Sequence, residues 1–330
     1  MKIECSFSAL PHFAAAAGGN NWMTDYESAY RKQLRELVKG KVLFDECMDR
    51  HTSIGVGGRA DVLVFPESLA ELGKLMVKLR TEEIPVFFVG NGTNLIVRDN
   101  GFRGVIVSTK SLRAVRIEER GSDRMAIFAE AGASLAEVVA RTGKEALTGM
   151  EFCAGIPGSV GGGIRMNAGA YGSELKNVIE SVSLLNGEGH VKICPREALQ
   201  FQYRNLDLPE GACVAGGVFV LARGNREAVE GRIREILRMR AGKHPLDYRN
   251  AGSIFKNPKG TPAGQIIDEA GLKGVRIGGA QVSEKHGNFI VNLGSATAKD
   301  LCALIEHVQK KVLEMKGIAL EPEVKIIGEE

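Results

Sequence analysis

The chain has no Cys-x-x-Cys pair, and its six cysteines, at positions 5, 47, 153, 194, 213 and 302, form no even framework. A disulfide scaffold is thereby excluded and a reducing compartment is indicated. The six histidines show no zinc-like spacing with these cysteines, so no metal is expected. No apolar run approaches the roughly 20 residues that cross a bilayer. The start, Met1-Lys2-Ile3-Glu4, is interrupted by Pro11 and His12 before the Ala14–Ala17 run, which is not the pattern of a secretory signal. Charge of one sign is missing as well: the formal net charge is +3 and basic residues are interspersed with acids, so nothing marks a nucleic-acid surface. There is no internal repeat and no low-complexity segment. These absences leave a cytoplasmic enzyme with no nucleic-acid, membrane or obligate protein partner as the expectation.

What is present is an ordinary globular composition, 44% hydrophobic and 25% charged, over 330 residues, enough for two or three domains. The distinctive stretch runs from Gly155 to Gly172, with Gly155, Gly158, Gly161, Gly162, Gly163, Gly169 and Gly172 in close succession. Residues without a Cβ let the backbone approach a neighbour closely, and so many together favour a flat or phosphorylated cofactor over turns alone.

Residues 1–22 read as an N-terminal extension. From Thr24 to Gly40 the apolar positions Tyr26, Tyr30, Leu34, Leu37 and Val38 recur at helical spacing. Ala60–Phe65, a helix from Pro66 through Arg80 and Pro85–Val89 make a β-α-β unit. Gly55-x-Gly57-x-x-Ala60 and Gly90-x-Gly92 superficially suggest a dinucleotide loop, but each leads into a strand (Ala60–Phe65, Leu95–Val97) where that loop needs a helix N-terminus. A Rossmann domain is therefore not expected. Gly90-Asn91-Gly92-Thr93-Asn94 remains either an anion nest for a pyrophosphate or a simple hairpin turn. Strands follow at Val105–Ser108, Ala114–Ile117 and Met125–Ala131, with a helix Leu135–Arg141 capped by Ser134. Ile179–Leu185 and His190–Ile193 alternate around Asn186-Gly187 as a hairpin, and Val218–Ala222 is a further strand. Composition shifts at Gly224-Asn225. Helices Arg226–Arg240, Gln265–Ala270 and Ala298–Lys316, the last capped by Thr297, alternate with strands Asn288–Asn292 and Glu323–Ile327, and Gly242-Lys243-His244-Pro245 breaks the first of them.

Six motifs in order carry a resemblance. They are His51-Thr52-Ser53-Ile54-Gly55-Val56-Gly57-Gly58, Val89-Gly90-Asn91-Gly92-Thr93-Asn94-Leu95, Ala154-Gly155-Ile156-Pro157-Gly158-Ser159-Val160-Gly161-Gly162, Met166-Asn167-Ala168-Gly169-Ala170-Tyr171-Gly172, Ala251-Gly252-Ser253-Ile254-Phe255-Lys256-Asn257-Pro258 and Leu320-Glu321-Pro322-Glu323-Val324. From about residue 44 onward the chain resembles the UDP-N-acetylenolpyruvoylglucosamine reductase (MurB) family, of the shorter type, since Tyr171 to Glu188 is too short for the tyrosine-bearing loop of the other. The resemblance implies an α+β protein: two FAD-binding α+β subdomains of the PCMH/vanillyl-alcohol-oxidase-like group and a C-terminal α+β substrate domain. It places subdomain 1 at 23–109, completed by 320–330, subdomain 2 at 110–223 and the substrate domain at 224–319.

The resemblance further implies non-covalent FAD, NADPH as hydride donor and an enolpyruvyl UDP-sugar as substrate, in peptidoglycan precursor synthesis. Matched position by position, the catalytic set is Arg204, Ser253 and Glu323. Cofactor contacts fall on Ile54, Gly90, Asn91, Gly92, Thr93, Asn94, Gly155, Ile156, Pro157, Gly158, Gly161, Asn167, Gly169 and Ala170, and substrate contacts on Tyr203, Arg240, Lys243 and Asn257. The chemistry suits these side chains. Hydride arriving at one carbon of an enol ether leaves charge on its neighbour, which needs a cation or a donor and then a proton. Taken singly, Arg204 is a surface arginine, Ser253 a turn residue and Glu323 a solvent-facing strand position, with Glu321 competing for the acidic role. Arg240 alone reads as a solvated helix face, and Lys243 as a cation stabilising a helix C-terminus. Two rival readings are an oxidase of the same flavin group and a non-catalytic flavin or UDP-sugar binder. One departure from the family pattern is Asn205-Leu206 after Tyr203-Arg204, where a small hydroxyl residue is usual two places after the arginine.

Overall fold

The computed structural model describes residues 21–330, so most of the expected extension 1–22 lies outside the described residues. The first helix, Asn21–Leu37, buries Leu34 and, just beyond its end, Val38 against helix Leu69–Thr81 and a four-stranded sheet. The sheet order is Val42–Cys47, Arg59–Val64, Phe102–Ser108, Val86–Val89. Its first pair is antiparallel and the other two are parallel. Ser68 caps helix Leu69–Thr81 by accepting from the Glu71 amide at 3.2 Å, so the helix begins three residues later than the start expected at Pro66. The β-α-β unit forms, with Phe102–Ser108 inserted between its two strands.

Strand Leu95–Val97 belongs to no part of that sheet. It pairs in parallel with Lys325–Ile327 at the far end of the chain. The strands on either side of Gly90–Asn94 are therefore not partners of one another, which removes the hairpin-turn reading. Glu323 and Val324 precede the last strand instead of opening it, because both their amides are spent on the Ile254 carbonyl, at 2.8 and 3.3 Å.

The second layer is a wholly antiparallel sheet ordered Val191–Pro195, Ile179–Leu185, Cys213–Arg223, Arg124–Glu130, Val115–Glu119, with Leu147–Thr148 also on the central strand. The central strand is eleven residues long, against the five expected at Val218–Ala222. Its glycines do not end it. A Cβ on Gly216 would stand 2.7 Å from the Ala129 carbonyl, and one on Gly217 2.7 Å from Ile164 Cδ1, so they admit a neighbouring strand and a helix at close range. That helix, Val160–Arg165, lies inside the glycine run, where no helix is expected, and is opened by the Ser159 hydroxyl accepting from the Gly162 amide at 3.3 Å. Helix Leu135–Lys144 is capped by Ser134 as its sequence indicates.

The C-terminal region packs helices Ala263–Glu269 and Ala298–Lys316 on an antiparallel sheet ordered Arg249–Ser253, Phe289–Asn292, Ala280–Val282, Arg276–Ile277. Thr297 and Asp300 form a reciprocal capping box on the last helix. Helix Arg226–Lys243 runs straight through Gly242, and the chain leaves it at His244, whose extended backbone suits the following Pro245. The core of this region takes in Ile54, Val56 and Ile96 from the N-terminal third. Asp99 also bridges the two by accepting from the Ala298 and Lys299 amides at 2.9 and 2.8 Å. Among the described residues, no helix is long and apolar enough to cross a membrane, and no three His, Cys, Asp or Glu side chains could hold a metal ion.

Candidate active site

Three loops far apart in sequence meet at one place. The Ser53 amide donates to the Gly92 carbonyl at 2.9 Å, and a Cβ on Gly92 (φ +66°) would collide with the His51 carbonyl at 2.0 Å, so loop 51–58 lies directly on loop 90–94. That loop in turn lies on the glycine run. Thr93 Oγ1 donates to the Pro157 carbonyl at 3.3 Å, and a Cβ on Gly90 would fall 2.1 Å from Ser159 Oγ. Gly55 presses against the Arg249 side chain, and Ser53 Oγ donates to the Asn250 carbonyl at 2.6 Å, which ties the assembly to the strand ending at Ser253. The packing leaves Gly90, Asn91, Gly92, Thr93, Asn94, Gly155, Ile156, Pro157 and Gly158 on two touching loops. Ile54 differs: its side chain is fully buried in the C-terminal core and its carbonyl accepts from Asn292 Nδ2 at 3.0 Å.

The three residues expected to be catalytic converge from three elements. Arg204 is the second residue of a two-residue turn between Phe201–Gln202 and Asn205–Leu206, at φ +57°. Its Nε lies 3.3 Å from Glu323 Oε1, buried, with no hydrogen bond aligned to it. The Tyr203 ring underlies its guanidinium, 5.2 Å from centroid to Cζ. Glu323 is held by its amide to Ile254, next to half-buried Ser253, and its carbonyl accepts from Asn94 Nδ2 at 3.1 Å. Burial pushes its carboxyl above the ordinary value, opposed by Arg204 first and then by Lys256 and Lys325. Its side chain is 17% exposed, so it is no solvent-facing strand residue. Glu321 is the exposed one, at 68%, and pairs with Lys256.

Arg240 is not a solvated helix face either. Its side chain lies on Gly155, where a Cβ would meet Cδ at 2.9 Å, and burial lowers its hold on its proton while Tyr171 and Cys153 raise it. Beside it is a cavity of about 350 Å³ lined by Tyr171, Glu151, Phe152 and Arg232 among others. Lys243 is exposed in the last turn of its helix. The neighbouring His244, pushed down to about 4 by burial first and then by Arg240, His286, Lys285 and Lys243, carries no charge at neutral pH. The Asn257 amide faces the Tyr203 hydroxyl at 3.4 Å, while Asn257 Oδ1 accepts from the Ala263 amide.

Residues 60–195 match the FAD binding domain, and residues 244–327 match the C-terminal domain of UDP-N-acetylenolpyruvoylglucosamine reductase. A protein of that name from Syntrophus aciditrophicus is 51% identical over 91% of this chain and 96% of its own length. The chain belongs to the UDP-N-acetylenolpyruvoylglucosamine reductase family. Another reductase of this name, from Caldanaerobacter subterraneus subsp. tengcongensis, is 48% identical over 90% of this chain and 97% of its own. The crystal structure of the Thermus caldophilus reductase (MurB) superposes with a TM-score of 0.75 at 33% identity, covering 88% of this chain and 99% of that one. As a member, this chain is an FAD-dependent oxidoreductase of α+β fold whose family serves peptidoglycan synthesis. The cofactor fits what is present: two loops with glycines at their contact face, where side chains would block the approach, and a buried donor on Arg204 with no aligned acceptor.

Asn167 is fully buried, and its amide group is consumed internally: Nδ2 donates to Glu174 and to the Gln202 carbonyl, both at 3.0 Å, and Oδ1 accepts from the Lys176 amide at 3.1 Å. Its side chain is thus a pin for the turn bearing Arg204. Gly161 likewise serves packing, its Cβ position lying 2.7 Å from Ala131 Cβ at the start of the short helix. Gly169 and Ala170 form one arm of a tight pair with Ser173–Glu174 that presents Tyr171 at its tip, φ +52°. Arg165, Tyr171 and Lys325 stand beside the expected residues without being among them. For the last, the signal was its place two residues after Glu323; burial, Arg165 and Lys256 weaken its hold on its proton.

Proposed function

We propose that this chain reduces UDP-N-acetyl-3-O-(1-carboxyvinyl)-glucosamine to UDP-N-acetylmuramate with NADPH through FAD, in the cytoplasm, with Arg204, Ser253 and Glu323 as its catalytic residues. The observation that carries the reading is the bond from the Glu323 amide to the Ile254 carbonyl, which brings the Glu323 backbone to the residue after Ser253, while its carboxylate Oε1 stands 3.3 Å from Arg204 Nε. Bound FAD supplies the redox chemistry, accepting hydride from NADPH and returning it to the enol ether. Loops 90–94 and 155–158, with the backbone of Ile54 and the pair Gly169–Ala170, would hold the FAD. Residues 23–109 with 320–330 and residues 110–223 form the two halves of that cradle, and 224–319 faces the UDP-sugar.

The protein's own groups handle charge and proton. Arg204 offers a fixed cation and a buried Nε–H, paired with Glu323 but with no aligned hydrogen bond, to the carboxylate as electron density moves onto it. Ser253 gives its hydroxyl proton to the carbon next to the one that receives hydride, and Glu323 holds the carboxylate end of the same group. Tyr203, Arg240, Lys243 and Asn257 meet the rest of the substrate, with Arg240 and Lys243 directed to its diphosphate. Support for this comes from the burial of Arg240 beside Tyr171.

The test is a visible spectrum of the purified protein, followed anaerobically by NADPH and then the enolpyruvyl sugar. A yellow protein should bleach with NADPH and recover its colour on adding the sugar. Ser253→Ala should still bleach, with recovery slowed about 100-fold or more, as loss of a general acid implies. Equal slowing of bleaching and recovery would overturn the proton-donor role, and a protein that cannot be loaded with FAD would overturn the reaction.

A further inference from the structure

The turn that carries Arg204 cannot stand by itself. Only two residue pairs close it, Phe201↔Leu206 and Gln202↔Asn205, and a hairpin of that size has no independent stability. Arg204 moreover occupies the left-handed region, disfavoured for a residue with a Cβ. Something outside the turn imposes the conformation. Arg165 Nη1 donates to Asn205 Oδ1 and, at 2.7 Å, to the Leu206 carbonyl, gripping the strand immediately after Arg204. Asn205 Nδ2 then donates to Asp207 Oδ1 at 2.6 Å, and Gln202 Nε2 donates to Asp207 Oδ2 at 2.8 Å, which closes a belt around the base of the turn. Burial disfavours the Arg165 charge, and Asp207 is the carboxylate that opposes the loss.

We propose that Arg165, acting through Asn205, is a positioning residue for Arg204, and that this clamp sets the catalytic guanidinium relative to the flavin; the inference rests on the role given to Arg204 above. Its logic lies in the helix Val160–Arg165. That helix begins at the loop 155–159, against which Gly90 packs, and ends six residues later at Arg165. One short rigid element thus has the cofactor loop at its N-terminal end and the grip on Arg204 at its other. Leu206, two after the arginine, is fully buried and donates no side-chain bond there.

The test uses the FAD-loaded protein with Arg165→Gln, Arg165→Lys and Asn205→Ala, in two kinds of measurement. Amide hydrogen exchange should quicken at 201–206 while strand Ile179–Leu185 keeps its protection, a readout that needs neither NADPH nor sugar. In anaerobic stopped flow, bleaching by NADPH should stay within about twofold, while recovery with the enolpyruvyl sugar slows about 10- to 100-fold, the scale of a misplacement near 1 Å. Arg165→Lys should recover part of the loss, and Arg165→Gln should add nothing to Arg204→Ala. Unchanged exchange at 201–206 would overturn the clamp. Equal slowing by Arg165→Gln in the presence and absence of the Arg204 side chain would overturn the positioning role and make Arg165 a substrate contact. If Arg165→Gln does not fold, Asn205→Ala decides through the same measurements. A parent protein that bleaches but never recovers with the sugar would refute the proposed reaction, leaving the exchange result to judge the clamp.

Discussion

Adding a single methyl group at Gly90 tests whether contact between the two glycine loops builds the cofactor site. A Cβ there would lie 2.1 Å from Ser159 Oγ and 3.2 Å from Ser159 Cβ, and Ser159 is 1% exposed, with no free space to retreat into. Gly90 itself is not in the left-handed region, so the strain of Gly90→Ala is purely the overlap. Rotating Ser159 away gives up its bond to the Gly162 amide at 3.3 Å and uncaps the short helix, which costs about 1 kcal/mol. Separating the loops instead costs about 1–3 kcal/mol, as overpacking does. The cost is therefore about 1–3 kcal/mol, about a 2–12 °C fall in Tm at 2–4 °C per kcal/mol. The second route also pulls Thr93 from the Pro157 carbonyl, and FAD should bind about tenfold more weakly for each 1.4 kcal/mol carried by the holo state. Flavin titration of the apoprotein by fluorescence, with thermal melts of both forms, measures these effects. Gly90→Ala combined with Ser159→Gly removes the overlap and should recover most of the FAD affinity without recovering the cap. An FAD Kd for Gly90→Ala within twofold of the parent, or a double variant as weak as the two single losses combined, would refute the reasoning.

Glu323 yields a pH dependence with a definite sign. Burial holds its folded-state carboxyl above the unfolded value, so the folded protein binds more protons between the two and stability falls as pH rises through that window. Arg204 exerts the largest downward pull, so Arg204→Met should move the carboxyl higher still; carbon-13 NMR of the glutamate carboxyls would show a downward move or none if the pairing is wrong. Asp99→Ala removes two charge-assisted caps from helix Ala298–Lys316 and should cost about 1–2 kcal/mol, read as a lower denaturation midpoint, and an unchanged midpoint would show that Thr297 and Asp300 cap the helix alone. At Gly317, φ +66° with nothing within 4 Å of a Cβ, Gly317→Ala should cost about 1 kcal/mol from backbone conformation alone, and Gly317→Asn less; equal losses would point to a lost contact.

Where the deciding interaction spans a few residues, the sequence is a sufficient guide. Ser134 and Thr297 cap the helices they precede because each hydroxyl meets an amide three residues on. The rejection of a dinucleotide loop at Gly55 and Gly90 holds for the same reason, since strands do follow both. The ordered motifs were enough to identify the family and its flavin. Misread elements are those whose partners are distant. Gly216 and Gly217 resemble a strand end until Ala129 and Ile164 are seen to occupy the space a side chain would need. The side-chain bonds of Asn167 to Glu174, Gln202 and Lys176 are likewise invisible in its motif. By itself the sequence determined the caps and the family. Tertiary structure alone decided that Leu95–Val97 pairs with the last strand, that Glu323 rather than Glu321 is buried against Arg204, and that Arg165 grips the turn bearing that arginine. These contacts join positions 41 to 230 residues apart, or turn on burial, and the free energy that selects them exists only once the layers have packed.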